Sequence, residues 1–245
     1  MKCVQRIQTE IQALEIWKSS LAVEFRVEGA IHAWYHSKRL LTGLAWDLIA
    51  AAPLLKIGGP PRSVLMLGLA GGTSFRILRH LLPDGLLVAV DIDEQMIALA
   101  REHMHLDDIG VEVVIADAYT WVKNQKRRFD VVIDDLYLAG KTDVYRPRDW
   151  DHQWIKTLKN LLTPEGILAV NLVTGEGHRK MQSQTRRCMK DEFEVVRTIR
   201  TPGAMNEVLV AGSQVQTAHL LDGYQSRFLD WRDRDYWGLM CVRRL

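Results

Sequence analysis

Short apolar segments alternate with amphipathic segments after residue 62, and this alternation restricts the possible fold most. The apolar segments are residues 63–67, 86–90, 111–115, 131–133 and 167–172. Residues 74–82, 94–104, 151–162 and 178–191 have the apolar spacing of helices. Continuous apolar strands that alternate with helices are typical of a parallel sheet covered on both faces. Residues 193–199 and 207–211 are predicted as two further, antiparallel edge strands. The sequence therefore predicts an α/β fold with a seven-stranded, mostly parallel sheet.

The residues that precede this sheet have a different pattern. Four apolar residues alternate with small or charged ones, namely Leu21, Val23, Phe25 and Val27. A period of two predicts a strand with one buried face. Neighbouring strands are predicted at residues 11–17 and 30–35, so the N-terminus is expected to be a small β-rich region. Residues 39–55 then have helical spacing, and the predicted helix ends at Pro53.

A loop rich in small residues connects the first strand of the predicted sheet to the next helix. It contains Gly68, Ala70, Gly71 and Gly72, and Asp91 ends the following strand. Small residues allow the backbone to turn tightly and to approach a ligand, while a carboxylate at the second strand end can accept hydrogen bonds from both ribose hydroxyls. This order of elements predicts a Rossmann-like nucleoside site. Dinucleotide sites and S-adenosylmethionine (AdoMet) sites share it, so the loop alone leaves both open.

These patterns divide the chain into three regions. Residues 1–55 form the β-rich lid or dimerisation region, and residues 62–212 form the Rossmann-like nucleoside-binding domain. The stretch 56–61, which contains two Gly and two Pro, is the predicted linker. Residues 213–245 are a C-terminal extension with a weak pattern, in which one helix is expected near residues 220–229.

Charge and composition exclude several functional classes. The chain has 245 residues, a formal net charge of +2 and no charged tail, so no nucleic-acid partner is expected. No uncharged stretch is long enough for a membrane span and the first residues lack an apolar signal segment, so we expect a cytoplasmic protein without a membrane partner. Cys3, Cys188 and Cys241 are far apart in sequence, and no metal site is expected.

The later strand ends carry the residues of a known superfamily. Asp117-Ala118 follows the third strand, and Asp134-Asp135-Leu136-Tyr137 follows the fourth. Over about residues 63–212 the chain resembles the class I AdoMet-dependent methyltransferases. With its β-rich N-terminus, Arg76 and the sequence Asp91-Ile92-Asp93, it resembles the spermidine synthase group within that superfamily.

This resemblance implies several roles. Asp91 would hold the ribose, with Ile92 beside it, and Asp117 and the Ala118 backbone would recognise the adenine of AdoMet or its decarboxylated form. Asp135 would lie beside the reacting sulfonium. Asp117 is equally placed to cap the next helix, and both roles can coexist. The resemblance also implies a homodimer.

The chain departs from spermidine synthases at several positions. Their first loop carries an acid that binds the donor amine, and the matching position here is Gly71. Their fourth strand is followed by two aspartates three residues apart, whereas here Leu138 stands at the second position. Tyr35-His36 resembles a Tyr-His pair of the family's N-terminal lid, which makes His36 a further ligand-binding candidate.

Three hypotheses follow for the function. The first is transfer of an aminopropyl group to a small amine, in which Asp135 orients the acceptor and takes its proton. Side chains alternate along a strand, so Asp134 would point to the opposite side. The second is methyl transfer to a small molecule, because Asp134 and Tyr137 have the Asp-x-x-Tyr spacing of amino-methyltransferases. The third is a nucleoside-binding protein that has lost catalysis.

Overall fold

The computed structural model describes residues 1–140 and 143–245. Its first element is an antiparallel sheet whose four strands follow chain order: β1 (Lys2–Gln8), β2 (Ala13–Lys18), β3 (Ala22–Val27) and β4 (Ala30–His36). The predicted N-terminal β-rich region is confirmed, and β1 is an additional strand. Few of its side chains are apolar and most are exposed, so no alternating pattern marks it. Leu14, Ile16 and Phe25 bury one face of this sheet in the main core.

The helix predicted at residues 39–55 is much shorter than expected. Helix α1 spans Ala45–Ala51 and continues into a 3-10 turn at Ala52–Leu55. The residues before α1 form a loop because their backbone N–H groups bind carboxylates instead of helical carbonyls. Asp47 accepts hydrogen bonds from the N–H groups of Thr42 and Gly43, and the buried Asp233 accepts from Leu40 and Leu41.

The main sheet has eight strands in the order β14-β12-β13-β11-β8-β5-β6-β7. Together with the short β9–β10 hairpin, the strands are β5 (Ser63–Leu67), β6 (Leu86–Asp91), β7 (Glu112–Ile115), β8 (Phe129–Asp134), β9 (Leu138–Ala139), β10 (Val144–Tyr145), β11 (Leu162–Val173), β12 (Val195–Arg200), β13 (Asn206–Gly212) and β14 (Cys241–Arg244). The pairs among β7, β6, β5, β8 and β11 are parallel, and β13, β12 and β14 add an antiparallel edge. The seven predicted strands are all present, and β14 is the eighth.

Helices cover both faces of the main sheet. They are α2 (Thr73–Leu81), α3 (Glu94–Met104), α4 (Ala118–Asn124), α5 (His152–Lys159) and α6 (Arg179–Glu192). Alternate residues of β5 show the two faces: Val64 and Met66 pack with α1, α2 and α3, whereas Leu65 and Leu67 pack with α4 and α5. Both cores consist mainly of fully buried aliphatic side chains. The α/β, Rossmann-like fold predicted from the sequence is confirmed.

The C-terminal extension contains two helices and a strand where one helix was expected. Helices α7 (His219–Gln225) and α8 (Trp231–Gly238) precede β14. The buried Trp237 donates from Nε1 to the Leu221 carbonyl at 2.7 Å and fixes α8 against α7. None of the helices formed by residues 1–140 and 143–245 is long and apolar enough to cross a bilayer.

Candidate active site

A cavity of about 710 Å3 lies at the carboxyl ends of the parallel strands. Its walls come from the loops after β5, β6, β7, β8 and β11, from the β12–β13 turn, and from the start of α1. Residues of the N-terminal sheet also contribute. The volume lies in the range of small-molecule sites, which in open α/β sheets occur at this edge.

The loop after β5 forms the floor of the cavity with Gly68 and Ala70. Gly68 has φ +86°, and a Cβ there would overlap the carbonyl oxygen of Asp135. The loops after β5 and β8 therefore touch backbone to backbone, and only glycine permits this contact.

Gly71 and Gly72 lie behind this floor and do not line the cavity. A Cβ at Gly71 would overlap Ala33 and Met104, so Gly71 allows the loop to pack against the N-terminal sheet and α3. The positions of this loop that line the cavity are Gly68, Leu69 and Ala70. An acid at Gly71, the position matched to the donor-binding acid of spermidine synthases, would therefore not face the cavity.

Asp91 ends β6 and both lines the cavity and orders its floor. Its Oδ2 accepts hydrogen bonds from the N–H groups of Leu69 and Ala70 at 2.8 and 2.9 Å, and its Oδ1 accepts from Asp93 at 2.9 Å. A carboxylate has about four lone-pair positions, so Asp91 retains about one for a ligand hydroxyl. Ile92 follows at the rim of the cavity, where its side chain is exposed.

Asp117 and Ala118 line the cavity where β7 leads into α4. The Asp117 Oδ1 accepts a hydrogen bond from the Thr120 N–H at 2.7 Å, so Asp117 is the N-cap of α4. The capping role is thus present in the structure, and the carboxylate still faces the cavity. Both interpretations of Asp117 are compatible with this geometry.

Asp134 and Asp135 lie on opposite sides of the end of β8. Asp134 is fully buried and forms a two-pronged ion pair with Arg146, at 2.6 and 3.1 Å. The Trp154 Nε1 donates to the Asp134 Oδ2 at 2.7 Å. The Arg146 guanidinium also lies over the Trp150 ring, 4.4 Å from its centroid. Asp134 is therefore part of the core and does not line the cavity.

Asp135 faces the cavity from the loop after β8. The Asn171 Nδ2 donates to its Oδ1 at 2.7 Å, and the Asn206 Nδ2 donates to the Asn171 Oδ1 at 3.0 Å. Burial raises the pKa of Asp135 to about 7; the Asn171 hydrogen bond opposes this rise and the nearby Asp134 adds to it. At neutral pH both protonation states of Asp135 are populated, which suits a group that accepts a proton during a reaction.

Tyr137 lines the cavity two residues further on. Its hydroxyl donates to the Asn171 carbonyl at 3.1 Å and accepts from the Val173 N–H at 3.4 Å. Burial raises the pKa of Tyr137 above its usual value, so the hydroxyl is neutral. Tyr137 connects the loop after β8 to β11. Of the two neighbouring acids Asp134 and Asp135, only Asp135 lines the cavity.

His36 lies outside the cavity wall, whereas His32 of the same strand lines it. The His36 Nδ1 accepts hydrogen bonds from the N–H groups of Lys38 and Arg39, and its ring stacks on Trp34. Burial lowers the pKa of His32, which is therefore neutral. β4 contains a bulge at His32, because Phe25 pairs with Ala33 and the next residue, Arg26, pairs with Ile31. Strand alternation counted from His36 therefore does not indicate the position of His32.

Two polar atoms of the N-terminal region are buried without a hydrogen-bond partner among the described residues. They are the Gln12 Oε1 and the His32 Nε2, and both residues line the cavity. Buried polar atoms are normally paired, so these two are exceptions located in residues of the cavity wall. Sequence reasoning missed both because neither lies in a recognisable motif.

Sequence comparison identifies the family. Residues 46–212 match the profile of the spermine/spermidine synthase domain. The chain is 28% identical over 207 residues to a polyamine aminopropyltransferase of Aeropyrum pernix (73% of this chain, 64% of the relative) and 32% identical over 147 residues to one of Chromobacterium violaceum (59% and 53%). It thus spans about half to two thirds of the length of these relatives.

Solved structures share the fold. A probable spermidine synthase from Corynebacterium glutamicum superposes with a TM-score of 0.75 at 14% identity and covers 100% of this chain and 91% of its own. Human methyltransferase-like protein 13, solved in complex with SAH, gives a TM-score of 0.58 at 22% identity and covers 78% and 89%. At such identities the likeness concerns the fold alone. The matched profile covers most of the chain, which therefore belongs to the spermine/spermidine synthase family.

Proposed function

We propose that this protein transfers an aminopropyl group from decarboxylated AdoMet to a small amine. The observation that carries the proposal is the placement of Asp135. It faces the cavity at the middle of the sheet edge, between the loops that resemble a nucleoside site and the segment formed by the loop after β11 and the β12–β13 turn. The relatives named as polyamine aminopropyltransferases support the same activity.

The cavity residues fit a nucleoside donor. Asp91 retains about one lone-pair position for a ribose hydroxyl, and the side chains of Gln12 and His32 line the same cavity. Asp117 and the Ala118 backbone are placed at the end of β7 for the adenine.

The charges of the lining favour the decarboxylated donor. Acidic residues line the cavity and none of the described lining residues is Lys or Arg. Such a wall favours decarboxylated AdoMet, whose chain ends in an ammonium, over AdoMet, which carries an additional carboxylate. That carboxylate would be repelled by the acidic side chains. This argument supports aminopropyl transfer over methyl transfer.

The chemistry asks little of the protein. A sulfonium supplies a carbon that is already activated toward nucleophiles. When the amine nitrogen bonds to that carbon, the carbon–sulfur bond breaks and its electron pair remains on sulfur as a neutral thioether. Asp135 orients the amine and accepts its proton, and the cavity holds the two reactants in line.

The methyltransferase hypothesis is less well supported. Its acidic residue is Asp134, whose oxygens are occupied by Arg146 and Trp154. The corresponding Asp-x-x-Tyr arrangement is therefore not available to a substrate.

A product assay tests the proposal. The protein is incubated with decarboxylated AdoMet or AdoMet and a panel of amines, and the nucleoside products are separated by chromatography. We expect 5′-methylthioadenosine from the decarboxylated donor, and a turnover about 10²–10⁴-fold lower in Asp135→Asn, which removes the base but keeps size and polarity. S-adenosylhomocysteine formed only from AdoMet would instead select methyl transfer. Nucleoside binding without turnover would select the non-catalytic hypothesis.

A further inference from the structure

The cavity has two halves that differ in chemistry. The sheet order places β5, β6 and β7 on one side of β8 and places β11 and β13 on the other. The first half contains Asp91, Asp93 and Asp117. The second half, which we call the acceptor half, lies over β8, β11 and β13. Neighbouring strands lie about 4.8 Å apart, so the two halves lie side by side along the sheet edge within the same cavity.

The walls of the acceptor half are mainly apolar. They include Leu44, Trp46, Leu138, Pro147, Val173 and Met205. Helix α1 packs over β11 and β13, which brings Leu44 and Trp46 to this side. Met205 in the β12–β13 turn is 73% exposed and Leu44 is 38% exposed, so the entrance to this half also presents apolar surface. Methionine adapts its shape to varied apolar ligands.

Only two of the described residues that line the acceptor half are acidic. Asp135 faces the site of reaction, and its Oδ1 is held by Asn171. Asp143 is already paired: the His178 Nε2 lies 2.9 Å from its Oδ2, and the Val144 N–H donates to its Oδ1 at 2.7 Å. The hydrogen bond with His178 lowers the pKa of Asp143.

Two polar residues of this half are also engaged. The side chains of Asn171 and Asn206 bind each other. Leu138 occupies β9, where it pairs with Tyr145 in the β9–β10 hairpin. A second ammonium group placed here would leave water to face a mainly apolar wall, which is costly, and at the exposed rim it would compete with His178 for Asp143.

We propose that the acceptor is an amine with a single cationic head and an apolar chain or ring, not a diamine. The head lies at Asp135, and the apolar remainder lies along Leu138, Trp46 and Met205. This proposal rests on the transferase function proposed above and specifies its substrate.

The test compares two acceptors of the same number of non-hydrogen atoms, hexylamine and pentane-1,5-diamine. They differ in that a methyl group replaces the second ammonium. With decarboxylated AdoMet as donor, we expect kcat/KM for hexylamine to exceed that for the diamine roughly tenfold or more. Leu138→Asp should move this ratio toward the diamine by a similar factor, and the uncharged Leu138→Asn should not.

Binding supplies an independent measurement. With 5′-methylthioadenosine present, hexylamine should raise the Tm of the wild-type protein more than the diamine does at equal concentration. This readout requires no variant to fold and no turnover.

The outcomes separate this inference from the proposed function. Turnover with a preference for the diamine overturns the single-head acceptor and leaves aminopropyl transfer intact. The proposal is also overturned if Asp143→Asn lowers kcat/KM for the diamine relative to kcat/KM for hexylamine, because Asp143 would then recognise a second ammonium. If neither amine reacts and neither raises the Tm, both proposals fail.

Discussion

The Asn171 Nδ2 donates a 2.7 Å hydrogen bond to the Asp135 Oδ1 from the neighbouring parallel strand. Asn171 is itself held through its Oδ1 by Asn206. A hydrogen bond to a carboxylate stabilises the charged form, so this contact limits how far burial raises the pKa of Asp135. The protonation of the proposed base is thus adjusted by a residue that need not touch the substrate.

The first prediction concerns the pH dependence of turnover. Activity should rise as the pH passes about 7, where Asp135 loses its proton. Asn171→Leu removes the hydrogen bond and should move this rise to higher pH by about one unit. A pH profile of kcat/KM measures the shift. Tyr137→Phe is the matched control, because the Tyr137 hydroxyl binds the backbone of Asn171 and leaves the contact with Asp135 intact. Identical profiles for Asn171→Leu and wild type would contradict the assignment.

The second prediction concerns nucleoside binding. Asp91→Ala should weaken the affinity for 5′-methylthioadenosine by about 1.5–3 kcal/mol, because a charged acceptor of hydroxyl hydrogen bonds is lost. The N–H groups of Leu69 and Ala70 also lose their partner. Asp91→Asn retains one acceptor and should lose less. Calorimetric titration provides the comparison, and wild-type affinity in Asp91→Ala would show that the ribose lies elsewhere.

The third prediction separates Asp134 from Asp135. Asp134→Ala leaves the buried Arg146 without its counter-charge, so the free energy of unfolding should fall by about 3–5 kcal/mol. Replacing both partners, as in Asp134→Leu with Arg146→Met, should cost less than Asp134→Ala alone. Urea unfolding measures all of these. Asp135→Asn should lose turnover with little change in stability, and a destabilisation by Asp135→Asn equal to that by Asp134→Ala would refute the division of roles.

The fourth prediction concerns Asp47 and stability against pH. Burial raises the pKa of Asp47 to about 7, although hydrogen bonds from Thr42 and Gly43 oppose the rise. The folded state therefore holds a proton that the unfolded state releases near pH 4, and the stability contributed by this proton is lost as the pH rises toward 7. The slope is about 1.4 kcal/mol per pH unit for one proton.

Unfolding by urea between pH 5 and pH 8 checks this effect. Asp47→Asn cannot titrate, so the difference in stability between Asp47→Asn and wild type should change in favour of the variant as the pH rises to about 7. Parallel stability curves for the two proteins would mean that Asp47 keeps an ordinary pKa.

The local pattern of apolar residues was enough to predict most of the fold. Helix α3 begins at Glu94 and ends at Met104 as predicted, because its apolar residues and its Asp93 cap are local signals. The strand β14 was missed, since three of its four residues are exposed and none alternates with a buried apolar partner. The backbone at Leu40 and Leu41 departs from a helix because Asp233, far along the chain, binds it.

The site was predictable where it depends on strand ends and was not where it depends on packing. Asp91 ends a strand, Asp117 and Asp135 follow strands, and the structure places all three around one cavity. His32 and Gln12 reach that cavity only because the N-terminal sheet folds over it. Gly71 likewise packs against Ala33 of the N-terminal sheet and away from the cavity, and this packing cannot be seen in the local sequence.

The contact between Gly68 and the Asp135 carbonyl has a consequence for how such an enzyme can change its substrate. The spacing between the donor floor and the acceptor base is fixed by main-chain atoms, so it does not depend on the side chains around the amine. If the protein transfers an aminopropyl group as proposed, substitutions at Leu138 or Met205 exchange one acceptor for another while the nucleophile and the leaving group keep their alignment. Substrate choice and reaction geometry are then separable, and selection or design alters the first without rebuilding the second.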